Sequence, residues 1–198
     1  MENYDRKKLY KTIYAPKTEP SLVIVETCPY IVVEGEGSPL DEAYDESIEL
    51  LYALSYMLKM GFKDEIWYRK FVVSPLEGLW SAVEVENRDS WRWASMIAQP
   101  PFITEEIFTK VAERCSFAKG INVKDAHFER IEDALCVTMM HVGPYENEDR
   151  SFDMMDRFCL QNKLQRIDAT HREIYLSNPK KTEPEHLKTV LRYGVERI

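Results

Sequence analysis

The order apolar run, capped helix, apolar run, apolar run occurs twice in this chain, and that recurrence limits the fold more than any single motif. In the first occurrence, Leu22–Val25 and Tyr30–Val33 are short β-branched runs that read as strand, with Glu34-Gly35-Glu36-Gly37 as turn punctuation after them. Ser38 then caps a helix, Pro39 takes its first position, and Asp41 and Glu42 face the positive end of the macrodipole. Leu40, Tyr44, Ile48, Leu51, Ser55 and Leu58 fall at helical spacing and predict one apolar stripe, which Gly61 ends. Ile66–Val73 and Trp91–Ala98 read as the next two strands, closed by Ser74-Pro75 and Gln99-Pro100-Pro101.

A connector follows. Thr104 opens a helix with Glu105 and Glu106 in its first turn and Ile107, Phe108 and Val111 on its buried face, and the Lys119-Gly120 turn closes it. The first order then returns: Leu135–Val142 is a strand ending at Gly143-Pro144, and a helix from about Glu148 to Leu164 turns Phe152, Met155 and Cys159 inward. His171–Leu176 and Lys188–Val195 are the closing strands. Gly37-Ser38-Pro39 aligns with Gly143-Pro144, Phe71–Pro75 with Ile174–Pro179, and Ser95–Pro100 with Thr189–Gly194.

Each half is thus β-α-β-β, a unit that exposes one sheet face and buries it against its twin. The expected class is α+β: two pseudo-symmetric β-α-β-β halves with antiparallel sheets around a central ligand cleft. Residues 1–20 are rich in Lys, Tyr and Pro and form an N-terminal arm or an early packing segment. Residues 21–198 make a single domain, with a first half at about 22–100, a connector helix at about 104–120 and a second half at about 126–198.

One strand carries chemistry. The period of two sends Arg172, Ile174 and Leu176 to one face of His171–Leu176, and His171, Glu173 and Tyr175 to the other. An imidazole, a carboxylate and a phenol in a row line either a ligand cleft, with Glu173 as its working charge, or a polar solvent-facing strand. Trp80 sits in a Gly-containing loop and reads as cleft or lid. Trp91 and Trp93 share a strand face and belong to the core or to a stacking site for a flat aromatic ligand, as Tyr175 does. His141 is either a buried histidine bonded to backbone or a ligand contact.

Composition excludes several classes. A net charge of -8 argues against a phosphate-tracking surface, so no nucleic-acid partner is expected. No run of apolar residues is long enough to span a bilayer and the N-terminus has no apolar signal region, so a cytoplasmic protein without a membrane role is expected. Cys28, Cys115, Cys136 and Cys159 are too scattered for zinc and read as reduced core thiols, and neither a metal nor a cofactor is expected. The Ser, His and Asp residues are scattered too, which sets a serine-hydrolase reading aside.

Four segments in order resemble the GyrI-like small-molecule-binding family from about residue 20 onward. They are Pro75-Leu76-Glu77-Gly78-Leu79-Trp80, Trp91-Arg92-Trp93 with Met96–Pro100, His141-Val142-Gly143-Pro144-Tyr145, and Glu173-Ile174-Tyr175-Leu176 leading to Lys188–Tyr193. The resemblance implies a SOUL-type fold and a stand-alone subgroup that includes cyclopropanoid cyclopropyl hydrolases, which open the strained ring of yatakemycin-type compounds. The chain departs from that pattern at Arg172, where a second His is common, at Asn178-Pro179-Lys180-Lys181, where Asp-Pro-Arg-Arg is common, and at Gly194, where Pro is common.

Opening such a ring needs a base for water and a donor for the oxygen that gains charge. For that chemistry the expected base is Glu173 and the expected donor Tyr145, with Glu77 as a second carboxylate over the cleft mouth and His171 tuning or orienting Glu173. The alternative is a non-catalytic binder that pairs Glu173 with a cationic aromatic ligand. A gyrase-directed interaction protein is the third class, resting on the family name alone. An aromatic small molecule is the expected partner, with no obligatory protein partner.

Overall fold

The computed structural model describes residues 3–82, 90–119 and 122–198. In chain order its elements are α1 (Arg6–Leu9), α2 (Lys11–Tyr14), β1 (Ser21–Val25), β2 (Cys28–Glu36), α3 (Glu42–Gly61), β3 (Leu76–Ala82) and β4 (Trp91–Ala98). They continue with α4 (Glu105–Lys119), β5 (Ala126–Ile131), β6 (Ala134–Val142), α5 (Glu148–Gln161), β7 (Leu164–Arg166), β8 (His171–Tyr175) and β9 (Lys188–Arg197). The class is mixed α and β, with antiparallel ladders and two β-α-β-β runs, β2-α3-β3-β4 and β6-α5-β8-β9.

The chain divides into two units. One comprises Met1–Arg6, Cys28–Leu76 and Ala82–Ile131. Here β2 is the middle strand, antiparallel to β4 on one side and to β5 on the other. The α3 helix covers β2 and β4 with Tyr44, Leu50, Leu51, Leu54 and Leu58, each full burial of a leucine contributing roughly 1.5–3 kcal/mol. The helix begins at Glu42 with Asp41 as its cap residue. Ser38 and Pro39 lie in the turn before it, where the Ser38 N–H donates to Asp41 Oδ2 at 2.8 Å. Leu40 is therefore exposed and off the apolar stripe. Gly35 belongs to the strand rather than a turn: a Cβ there would stand 2.3 Å from Cζ2 of Trp93, whose ring fills that space.

The expected strand Ile66–Val73 is absent. Phe71 makes an isolated bridge, parallel to Tyr4, Trp67 lies 5.8 Å from Phe62, the Tyr68 hydroxyl donates to the Lys59 carbonyl, and Ile66 is exposed. A β-branched and aromatic run here serves packing, not a ladder. The strand lies later, in the Leu76–Trp80 stretch that reads as an interlude. Thr104 caps α4 through its Oγ1, and Ile107, Phe108 and Val111 are buried as expected. The Gly120 half of the Lys119-Gly120 turn falls outside the described residues.

The other unit comprises Lys7–Thr27, Glu77–Ser81 and Glu132–Ile198. Its strands run β1-β6-β9-β8-β3, all antiparallel, with β7 also paired to β9. The α5 helix ends at Gln161 rather than near Leu164, because Lys163 adopts a left-handed backbone (φ 54°) and Leu164 turns into β7. On the α5 side of this sheet Val137, Met139, Met155, Cys159, Leu191 and Tyr193 form one core. Ile13, Tyr14, Val23, Val25, Cys136, Ile174 and Val190 form a second. Residues 7–20 are thus packed into this unit, with Ile13 and Tyr14 buried and the Lys17 carbonyl bonded to Met140 N–H. All four cysteines are buried.

Candidate functional site

Strand β8 alternates in burial as its sequence alternates in chemistry. Arg172 and Ile174 are buried, while His171, Glu173 and Tyr175 lie half-buried on the opposite face. The turn Tyr145–Asn147 and the first turns of α5 lie along that second face and meet it through two aromatic pairs. The Tyr145 ring meets Tyr175 edge-on at 6.0 Å, and Phe152 meets His171 edge-on at 4.8 Å. Glu148 lies between the two in sequence and feels the charge of Glu173.

The site's electrostatics follow from this pairing. His171 Nε2–H donates to Glu173 Oε1 at 3.0 Å, with their side chains 25% and 13% exposed. Glu148 is only 7% exposed, and its Oε1 has no hydrogen-bond partner among the described residues. Burial, then the negative charge of Glu173, then Asp149 and Glu146, raise the Glu148 pKa to about 9. The N-terminus of α5 favours the anion by only about 0.3–1 kcal/mol, under one pKa unit, so the direction stands. Burial, with Glu148, Glu173 and Glu146 adding to it, also raises the Tyr145 phenol, which keeps its proton and remains a donor.

Trp80 and Gly78 extend the same face on β3, where Trp80 pairs with His171 and Gly78 with Glu173. The indole lies back across Gly78, so a Cβ there would stand 2.6 Å from Nε1, and the indole N–H donates to the Tyr175 hydroxyl oxygen at 3.0 Å. Trp80 is a strand residue, 5% exposed, that braces Tyr175. It is not the loop or lid residue its sequence suggests. His141 has both ring nitrogens engaged, Nε2 with the Pro144 carbonyl at 3.1 Å and Nδ1 with Ser151 Oγ at 2.9 Å. A carbonyl only accepts, so Nε2 carries the proton and Ser151 donates to Nδ1. His141 thereby ties the turn that presents Tyr145 to the helix that presents Glu148.

Glu77 requires a correction. It does not stand over an opening: it is 0% exposed, on the opposite face of the sheet. Its Oε2 accepts from Arg172 Nη1 at 3.1 Å and its Oε1 from the Tyr14 hydroxyl at 3.0 Å. Asp133 completes the cluster with Arg172 at 2.8 Å and Arg192 at 2.6 Å. Burial works to raise the Asp133 carboxyl, but the two guanidiniums outweigh it and hold it below the usual range. Among the described residues no three His, Cys, Asp or Glu side chains are placed to hold a metal ion, and no helix is long and apolar enough to cross a membrane.

Residues 18–193 match the GyrI-like small molecule binding domain. The chain belongs to that family. GyrI-like structures from Listeria innocua resemble it over 98% of this chain and 100% of theirs at 36% identity: an uncharacterized conserved protein with a TM-score of 0.93 and a hydrolase with 0.91. The C-terminal domain of EcmrR shares the fold at 14% identity and a TM-score of 0.58, over 91% of this chain and 98% of that one. No curated protein matches the sequence.

Within this GyrI-like chain, seven of the nine residues singled out from the sequence fall in the unit just described: Glu77, Trp80, Tyr145, His141, His171, Glu173 and Tyr175. Trp91 and Trp93 belong to the other unit, where Trp93 is buried edge-on against Tyr44 at 5.2 Å. Sequence reasoning missed Glu148. The signal was present, since 145, 148 and 152 share one helical face at the spacing that meets 175, 173 and 171, but it is visible only once α5 is known to lie along β8.

Proposed function

We propose that this GyrI-like protein binds a flat, electrophilic aromatic molecule against the His171–Glu173–Tyr175 face and hydrolyses it with water activated by Glu173. The row of imidazole, carboxylate and phenol, faced by Tyr145, Glu148 and Phe152, carries this reading. The Listeria innocua relative named a hydrolase, 36% identical across nearly the whole chain, supports it. For a cyclopropane fused to a dienone, Glu173 takes a proton as the water oxygen bonds to the exposed ring carbon. The cyclopropane C–C bond breaks, its electron pair enters the dienone, and the carbonyl oxygen becomes a phenol oxygen whose charge Tyr145 O–H meets. His171 holds Glu173 in place through its N–H.

The second reading is a non-catalytic binder of cationic aromatic compounds. It is favoured by the acidic surroundings of Tyr145, where Glu146, Glu148 and Glu173 add their fields. Mass spectrometry of a duocarmycin-type cyclopropane incubated with wild type and with Glu173→Gln separates the two. A product heavier by one water, formed over many turnovers and lost in Glu173→Gln, is the expected result. Compound retained unchanged leaves the binder.

A further inference from the structure

We infer that Glu148 is the general acid of this site, holding the proton that the substrate's oxygen receives when the ring opens. The inference rests on the hydrolytic reading above and adds to it a residue and a proton balance. Its geometric basis is that Glu148 lies in the chain between Tyr145 and Phe152, whose rings meet Tyr175 and His171 on either side of Glu173, and that it is itself buried there. A carboxyl with one oxygen buried and unpartnered is costly as an anion and tolerable as an acid. Every charged neighbour that raises it is acidic: Glu173 from β8, and Asp149 and Glu146 beside it in the chain. His171 spends its N–H on Glu173, and His141 bonds Ser151 through one ring nitrogen and the Pro144 carbonyl through the other. No guanidinium or ammonium is paired with Glu148 among the described residues.

The two carboxyl groups then share one proton and have different tasks. As water attacks, Glu173 gains a proton from it and Glu148 gives one to the carbonyl oxygen as that oxygen becomes a phenol. The C–O bond forms, the cyclopropane C–C bond breaks, and the pair ends with the proton count it began with, now on Glu173. Transfer between neighbouring carboxyls restores the starting state. Tyr145 supports the oxygen by hydrogen bonding and keeps its own proton.

The test has two arms on the full chain. In the first, turnover of the duocarmycin-type compound is followed against pH for wild type, Glu148→Gln and Glu148→Asp. Glu148→Gln is expected to lower kcat at least about a hundredfold with little change in KM, and Glu148→Asp to recover part of it. The wild-type rate should fall as pH rises through the ionisation of Glu148. A Glu148→Gln variant with wild-type kcat and pH profile overturns the inference. The second arm needs no turnover: the infrared carbonyl band of a protonated carboxyl should be present at neutral pH and absent in Glu148→Gln. In Glu173→Gln that band should vanish at lower pH than in wild type. Absence of the band in wild type overturns the inference whatever the compound does, whereas a band without turnover overturns the hydrolytic reading and leaves Glu148 as the site's proton store.

Discussion

At the scale of single residues, Glu148 departs far from what its side chain does in water. Its folded pKa lies above its ordinary value of 4.5, so between that value and about 9 the folded chain binds a proton that the unfolded chain has released. Stability therefore falls as pH rises through this window: the contribution is whole below the unfolded value and lost as pH passes the folded one. Denaturant midpoints taken on the acid and alkaline sides of neutrality should drop for wild type and drop less for Glu148→Gln. An equal slope in both would place the pH dependence elsewhere. Gly78 and Gly35 act at the same scale through what they lack, since each leaves a strand surface bare enough for a tryptophan ring to lie on it.

At the scale of elements, β8 divides its labour between its two faces. One face carries the candidate chemistry, and the other carries Arg172, which joins Glu77 of β3 and Asp133 before β6, while Arg192 of β9 also bonds Asp133. Tyr14 of α2 reaches the same Glu77. Removing one member of a buried ionic cluster leaves its partners charged and unpaired, so Arg172→Met should destabilise by about 3–5 kcal/mol in denaturant unfolding. A loss within experimental error of zero would show that Arg192 alone neutralises both carboxylates. The alternation of β8 was legible in the sequence, because a period of two assigns faces without tertiary knowledge. The role of Arg172 was not, because the cluster it joins is drawn from four other segments, those of Glu77, Asp133, Arg192 and Tyr14. Leu76–Trp80 does not read as a strand for a similar reason: its Glu and Gly are poor strand formers, and pairing with β8, far along the chain, makes a ladder of them.

At the scale of the whole molecule, the two β-α-β-β runs and their family were legible from recurrence and four ordered segments, while the division of the chain into units was not. The unit that carries the site draws on three separate stretches of sequence, including residues 7–27. What reads as an arm supplies Ile13 to a core and the Tyr14 hydroxyl to Glu77. Deleting residues 1–20 should therefore lower the thermal midpoint, with the burial of Ile13 and Tyr14 alone worth roughly 1.5–3 kcal/mol each. An unchanged midpoint would mean that these side chains add nothing to the folded state.

The bond between Trp80 and Tyr175 and the ion pair between Glu77 and Arg172 each span 95 residues of a 198-residue chain. During synthesis β3 leaves the ribosome long before β8 exists, so the edge that meets β8 must wait while half of the protein is still being translated. The site is consequently among the last features to be assembled, and a chain released before β8 lacks His171, Glu173 and Tyr175. Ligand recognition then reports on completed synthesis, because a nascent or prematurely terminated product cannot sequester the compound that a finished molecule takes up.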